Sequence, residues 1–503
     1  MLRRFILPIV LALAAVAAEV RAADVPDTSK MNVLLIDIED CNAGVWGCYG
    51  NTICKTPNID RFAKSAVVFD AAYVQAVSCN PSRTSFLTGL RPPTTGVTTN
   101  EQVMDEHLPP GTLSLPEILK TGGFTTANVG KLFHQTNYAE KRLLTFDRLE
   151  FIEKPKDWKG PPPILQFPAA PRVSDPPPAD RNSREFRVWR RKQSDRYGDS
   201  GLTREQERDY RMAATAAALI KQFARDKSRF FLSVSQSKPH TPLIAPKKYI
   251  DMYDPDKIPT PPAAPDEFVG LPAHYQTRAH GGNPDIFTEK QPTPQQAREA
   301  IAAYYACVSF VDDNIGLVLD ALDEAGLRDN TIVVFLGDHG FHLGDHAFWS
   351  KYSMLEPTRR APLIVRVPGA VGNGRVSRQF VEFVDLLPTI GDLAAVKLPT
   401  NLEGTSFSPL LNDPERPWKS AVFMSGGSRD HGRMVRNRRY SYLEFQEGSD
   451  SPALFDLEKD PWETRNVIDE PAYAETRREL AALLQAGWKA ALPPEDARKS
   501  ARD

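Results

Sequence analysis

Four stretches of this chain are short and almost wholly apolar, and three of them end abruptly in polar residues. Val33-Leu34-Leu35-Ile36 runs into Asp37, Glu39 and Asp40, and Phe230-Phe231-Leu232-Ser233-Val234 runs into Lys238-Pro239-His240. Thr331-Ile332-Val333-Val334-Phe335-Leu336 is followed at once by Gly337-Asp338-His339-Gly340, and Leu363-Ile364-Val365-Arg366-Val367 is a fourth run. A strand without polar alternation is buried on both faces, which calls for a mainly parallel sheet covered by helices. Helices alternate with the runs. Thr293-Pro294 reads as an N-cap with proline at the first helical position, Ile301, Tyr305, Val308, Ile315, Val318 and Leu322 trace one apolar face, and Gly326 ends it. Met212 to Phe223 is a second helix, rich in alanine. This is the α/β pattern, in which ligands sit beyond the carboxyl ends of the strands. Three runs end in carboxylate, imidazole or amine side chains, so they are expected to share one site.

The remaining features bound the problem. With 503 residues, 41% hydrophobic and 25% charged, the chain has globular composition. Lys+Arg (62) and Asp+Glu (64) nearly cancel, giving a net charge of −2, so no global basic field holds nucleic acid. At the start, Arg3 and Arg4 precede Phe5 to Ala18, an apolar run of about fourteen residues, short for a membrane span and right for a signal peptide. Val20-Arg21-Ala22 offers the cleavage site, so residues 1–22 are expected to be removed, leaving a periplasmic or secreted protein without stable membrane insertion. Residues 30–398 are expected to form the main domain. After about Leu398 the texture changes: Val435 to Phe445 and Ala453 to Leu457 read as short strands and Glu475 to Trp488 as a closing helix, a smaller C-terminal α+β subdomain over 399–503. Proline-rich stretches, Lys159 to Asp180 and Asp254 to Pro294, read as ordered surface loops.

The most informative segment is Cys79-Asn80-Pro81-Ser82-Arg83-Thr84-Ser85-Phe86-Leu87-Thr88-Gly89. Cys-x-Pro-Ser-Arg-x-x-x-Leu-Thr-Gly resembles the signature of the formylglycine-dependent (type I) sulfatases. Gly130-Lys131-Leu132-Phe133-His134, Lys238-Pro239-His240, Gly337-Asp338-His339-Gly340 and Trp349-Ser350-Lys351-Tyr352 follow in the order that family shows, and their flanks are most similar to its iduronate-2-sulfatase branch. The resemblance implies an alkaline-phosphatase-like fold, a mixed, mainly parallel sheet sandwiched by helices with a small C-terminal antiparallel sheet. It also implies conversion of Cys79 to formylglycine by a formylglycine-generating enzyme, and a sulfated carbohydrate as substrate.

A sulfate monoester carries charged oxygens that repel nucleophiles, and a poor alkoxide leaving group. Catalysis has to neutralise the oxygens, activate a nucleophile and protonate the leaving oxygen. A hard divalent cation such as calcium serves the first two tasks and wants oxygen ligands. The resemblance assigns the metal to Glu39, Asp40, Cys79 as its hydrated aldehyde, Asp338 and His339. The family generally has aspartate where Glu39 stands. The extra methylene moves that carboxylate by roughly an ångström or more, and Asp37, two residues earlier on the same strand face, is the alternative ligand. The resemblance gives Arg83 the hydrated aldehyde and metal-side oxygens, Lys131 and Lys351 the sulfate oxygens, His134 the base that releases sulfate, and His240 with Lys351 the proton for the departing sugar oxygen.

Other features read plainly. His342, Asp345 and His346 fit a pocket wall or a surface turn equally, and Arg359-Arg360 reads as a solvated pair more readily than as an anion contact. Cys41, Cys48, Cys54 and Cys307 match no zinc spacing and are expected to be mostly buried free thiols. The competing functions are a phosphatase or phosphonate monoester hydrolase on the same fold, and an inactive protein that binds sulfated glycans.

Overall fold

The computed structural model describes residues 26–134, 142, 145–150, 160–261, 271–272, 275, 283, 285–425, 432–445 and 452–498. The expected signal peptide lies outside these residues, as does part of the second proline-rich stretch.

Eight strands form the central sheet: β1 (Asn32–Ile38), β2 (Val67–Phe69), β3 (Thr125–Val129), β4 (Arg148–Glu150), β5 (Phe230–Gln236), β6 (Thr331–Gly337), β7 (Leu363–Arg366) and β8 (Val376–Ser377). Their spatial order is β8-β2-β7-β6-β1-β5-β3-β4. Only β7 runs against the rest, pairing antiparallel with β6 and β2, while every other neighbouring pair is parallel. The sheet is therefore mixed and mainly parallel, and the apolar runs are its centre.

Each central strand supplies two cores. Val33 and Leu35 of β1, Val334 and Leu336 of β6 and Phe231 of β5 enter one, and Leu34, Ile36, Val333, Phe335 and Leu232 enter the other. Strict alternation of an all-apolar strand between two buried faces is what a sheet between helical layers requires. On the first face lies α1 (Cys79–Thr88), with Phe86 and Leu87 in the core. On the second lie α3 (Arg208–Asp226) and α4 (Pro294–Glu324), buried through Leu219, Ile220, Ile301, Val308 and Val311. Between α1 and α3 in sequence, α2 (Arg184–Ser194) buries no residue at all. α4 starts as its sequence indicates: the Thr293 hydroxyl accepts from the Gln296 amide and the Gln296 side chain accepts from the Thr293 amide. It is apolar and long enough to cross a membrane, but 89% of its most apolar window is buried in this core.

Beyond the main sheet, β9 (Ala421–Ser425), β10 (Gly432–Asn437), β11 (Tyr440–Phe445) and β12 (Ala453–Asp456) form an antiparallel meander, followed by α5 (Ala474–Ala486). Val435 to Phe445, expected as one strand, is two, because the chain reverses at Arg438-Arg439. The Asn437 carboxamide oxygen accepts from the amides of Arg439 (3.0 Å) and Tyr440 (2.7 Å) and closes that turn. One face of the meander (Phe423, Val435, Tyr442, Leu454) packs on Leu480 and Leu484 of α5. The other (Met424, Met434, Leu443, Phe455) joins the first core of the main sheet.

The expected solvated pair Arg359-Arg360 is instead inside. Arg359 is fully buried, with its guanidinium 2.5 Å from Glu463 and 2.9 Å from Glu356. Arg360 pairs with Asp70 at 3.2 Å. An arginine doublet carries no local sign of burial; Glu356 is a near neighbour in sequence, but Glu463 and Asp70 come from distant segments.

Candidate active site

Adjacent strands β6, β1, β5 and β3 all point their carboxyl ends the same way, and each delivers chemistry there. β1 ends before Glu39 and Asp40, β6 before Asp338 and His339, β5 before His240, and β3 before Gly130 and Lys131. Cys79 opens α1 at this end of the sheet. Two glycines make the approach possible: Gly130 has φ +94°, and a Cβ on Gly340 would stand 2.0 Å from the Pro357 carbonyl oxygen.

Asp40, Cys79, Asp338 and His339 are buried, and one donor atom from each lies within 4.8 Å of all the others. The Cys79 sulfur is 3.3 Å from His339 Nε2, 3.4 Å from Lys351 Nζ and 3.9 Å from Asp40 Oδ1. Lys351 Nζ is shared with the Asp40 carboxylate at 2.8 and 3.0 Å. His339 donates Nδ1–H to the Gly340 carbonyl (2.9 Å), which turns Nε2 toward the cluster. The donor set of two carboxylates, one imidazole nitrogen and the position-79 side chain suits a divalent cation; its carboxylates favour a hard ion and its imidazole tolerates a softer one.

The backbone is shaped to converge these groups. Asp40 sits at φ +52°, and its amide donates to Asp338 Oδ1 at 2.9 Å. Its carbonyl accepts 2.6 Å from the Tyr304 hydroxyl of α4, which also accepts from the Asn42 amide at 3.0 Å. The Ser82 hydroxyl donates to the Asp338 carbonyl.

Arg83, one helical turn after Cys79, is 1% exposed and paired with two carboxylates: Nη1 is 2.5 Å from Asp37, Nε donates to Asp338 at 3.1 Å, and Nη1 also donates to the Lys131 carbonyl at 2.6 Å. It braces a ligand and the Lys131 loop from behind. Asp37 points at Arg83 and at the Ser235 hydroxyl (3.0 Å), and neither it nor Glu39 is one of the four clustered groups. The Glu39 carboxylate is 2.5 Å from Lys131 Nζ. His240, a third exposed, gives its Nδ1–H to the Thr241 carbonyl (2.8 Å) and sets Nε2 3.8 Å from Asp40 Oδ2.

Charge sorts the protonation states. Burial pushes the Asp37 carboxyl up to about 7 against the pull of Arg83. Burial also opposes ionisation of Asp40, but His240, Lys351 and His339 outweigh it and hold Asp40 at about 2. Lys131 and Lys351 pull the Cys79 thiol below its ordinary value despite burial. Burial, Lys131 and Arg83 together depress His134 to about 2, leaving a neutral imidazole beside the cationic groups. His339 moves the other way, to about 9, because Asp338 and Cys79 outweigh its burial.

All ten residues singled out in the sequence thus converge at one end of the sheet. Sequence reasoning missed Tyr304, which lies beside the apolar helix face traced through Tyr305, and the Asp37–Arg83 pair. It also missed Asp285, which accepts from the Ser350 hydroxyl at 2.5 Å beside Lys351. His342 and His346, with Asp345, form a buried wall: His342 Nε2 lies 2.7 Å from the Ser353 hydroxyl and its ring stands edge-on to His346. All five cysteines are free thiols, four of them buried.

The family model described as "Sulfatase" matches residues 31–396, and the chain belongs to that family of hydrolases. A second, "N-sulphoglucosamine sulphohydrolase, C-terminal", matches residues 344–489. The chain is 30% identical to the iduronate 2-sulfatase of Homo sapiens over 76% of its own length and 72% of that protein. It is 29% identical to a sulfatase of Formosa agariphila over 92% and 89% of the two chains. Among solved structures, a phosphonate monoester hydrolase from Silicibacter pomeroyi superposes with a TM-score of 0.75 at 25% identity, covering 92% of this chain and 96% of that one. A protein solved with its substrate D-glucosamine-2-N,6-O-disulfate shares the fold at TM-score 0.68 and 21% identity, over 91% and 97% of the chains.

Proposed function

We propose that this protein is an exported sulfatase, periplasmic or secreted, that cleaves sulfate esters on a sulfated sugar. In this reading a formylglycine-generating enzyme converts Cys79 to formylglycine, and the metal is calcium. The observation that carries the reading is the position of Cys79: the first residue of a buried helix, 3.4 Å from Lys351 and 3.3 Å from His339, inside a cluster with Asp40 and Asp338. The names of the relatives support a sulfated carbohydrate as substrate.

Asp40, Asp338, His339 and an oxygen at position 79 would hold the cation, with Glu39 free to join them by leaving Lys131. When bound, a divalent ion neutralises charge on the sulfate oxygens and favours an oxygen nucleophile over a thiolate. A hydrated aldehyde supplies two hydroxyls on one carbon, one to attack sulfur and one whose deprotonation releases sulfate. Lys131 and Lys351 hold sulfate oxygens as point charges. His134 is kept neutral by burial and its cationic neighbours, which is the state a proton acceptor needs. His240, the most exposed member of the set, faces the pocket through Nε2 and hands a proton to the departing sugar oxygen. Arg83 keeps Asp338 and α1 in register.

The test is activity of the matured enzyme on aryl and sugar sulfates, with mass spectrometry of the peptide containing position 79. Cys79→Ala is expected to abolish turnover with the fold intact. Chelation is expected to remove activity, and calcium to restore it better than zinc. A matured sample that retains the thiol and works at full rate refutes the reading. The similarity to phosphonate monoester hydrolases favours one competitor; higher kcat/KM on a phosphonate monoester than on the matching sulfate would decide for it.

A further inference from the structure

The helix α2 has no part in the site above, yet its charge is strongly one-sided. Its sequence, Arg184-Glu185-Phe186-Arg187-Val188-Trp189-Arg190-Arg191-Lys192-Gln193-Ser194, sets five cations against one acid in a protein of net charge −2. At about 100° per residue, Arg184, Arg187 and Arg191 fall within roughly 60° of one another, with Arg190 about 60° further round. All four, and Lys192, are exposed. Phe186, Trp189 and Gln193 occupy the opposite face and are half-buried, and the Trp189 indole N–H donates to the Asp175 carbonyl at 3.1 Å.

The cationic face is unneutralised. Arg187 donates to the Asn182 carbonyl at 2.8 Å, and none of Arg184, Arg190, Arg191 or Lys192 forms an ion pair among the described residues. Arg184/Arg187, Arg187/Arg190 and Arg187/Arg191 are like charges at i,i+3 and i,i+4, spacings at which neighbours on a helix repel. A single charged run is usually just a solvated face, but a solvated face ordinarily mixes signs. This one carries a repulsion that a bound polyanion would remove.

Its location adds the second argument. Three residues past α2, Tyr197–Asp199 pairs in parallel with Leu243–Ala245, and the Leu243 amide donates to the Arg196 carbonyl at 2.9 Å. Leu243 is three residues beyond His240. Asp195, at the end of α2, also accepts from the Thr288 hydroxyl at 2.8 Å. Counting about 1.5 Å per helical residue, 3.3 Å per extended residue and ~5 Å between strands, the path from Arg191 to His240 is about 26 Å, an upper bound on their separation.

We propose that the Arg184–Ser194 helix is a docking surface for a sulfated glycan chain, holding sulfates of sugars beyond the one in the Cys79 pocket. The proposal rests on the sulfated-sugar reading of that pocket. Guanidinium groups suit it because their paired N–H donors match the oxygens of tetrahedral anions. A membrane surface fits less well: the aromatic face of α2 is turned inward, whereas a helix lying in a bilayer interface presents that face outward. Single-stranded nucleic acid fits less well too, since no fully exposed aromatic side chain on α2 offers a stacking platform.

The test uses the full-length matured enzyme and the variant Arg184→Gln/Arg187→Gln/Arg191→Gln. Glutamine keeps the helix propensity, and circular dichroism checks the fold. Binding of a fluorescent heparin octasaccharide is measured against salt, beside a single-stranded DNA of equal charge, and kcat/KM is measured on a small aryl sulfate. The expected result is at least a tenfold loss of heparin affinity and a salt slope reduced by about 2–3, as for three released counterions, with aryl sulfate turnover unchanged. Equal heparin binding by variant and wild type overturns the proposal, and so does wild-type binding of DNA as tight as heparin. A wild type that binds heparin through α2 yet cleaves no sulfate ester would sink the proposed activity and leave the docking surface standing.

Discussion

Tyr304→Phe tests how the ligand loop is held. Only one oxygen is removed; the ring, stacked 5.7 Å from Phe341 with an interplanar angle of 22°, stays in place, so no cavity is created. That oxygen donates to the Asp40 carbonyl at 2.6 Å and accepts from the Asn42 amide at 3.0 Å. Each buried group left unpaired costs about 1–3 kcal/mol. Asn42 is only half-buried and recovers part of its share from water, so the expected loss of unfolding free energy is about 2–4 kcal/mol. The two bonds also hold Asp40 at φ +52°, a left-handed conformation that costs of order 1–3 kcal/mol for a non-glycine residue. Released, the loop relaxes and the carboxylate leaves the cluster. The expected result is at least tenfold weaker calcium binding and a matching fall in kcat. Urea unfolding and calorimetric calcium titration measure the two effects separately. Tyr305→Phe is the control, because among the described residues its hydroxyl accepts only from the Asn51 carboxamide, at 3.4 Å. If the two variants match in stability and calcium affinity, the bracing role of Tyr304 is wrong.

Other predictions follow from the same geometry. Arg359→Met strands Glu463, which is buried with its carboxylate 2.5 Å from that guanidinium; a loss of about 3–5 kcal/mol is expected in urea unfolding, and Arg359→Met/Glu463→Gln should recover at least half of it. His134, depressed to about 2 by burial, Lys131 and Arg83, stays neutral throughout the working range, so it contributes no acid limb to the kcat profile. His134→Asn should therefore lower that profile at least a hundredfold without changing its shape between pH 5 and 8, whereas a flattened acid limb in the variant would show that His134 titrates there.

Much of this was legible because burial on both faces leaves a plain mark. Strands β1, β5 and β6 are nearly continuous apolar runs, and polar residues that follow them are ones that meet at the site. β7 carries the same mark and was found as a strand, but nothing in Leu363–Arg366 tells that it runs antiparallel, since a doubly buried strand looks alike in either direction. The Cys79 segment was legible as a motif. Its supports were not: Arg83 turns to Asp37 and Asp338, and Arg359 to Glu463, across separations of 46, 255 and 104 residues. Such pairings are set by topology, and an arginine's sequence neighbours do not report them. The turn at Arg438-Arg439 was missed because its signal is the single Asn437 side chain rather than a glycine.

One face of the C-terminal meander is an inner wall of the main core. Met434, Leu443 and Phe455 share that core with Met354 and Leu355, three and four residues past Lys351. A chain ended near residue 398 would lose this wall and bare Met354 and Leu355, just behind a cationic group of the site. The last hundred residues are thus not a transplantable cassette: exchanging them between relatives would require moving the Met354–Arg359 stretch with them, or the graft would fail at the seam.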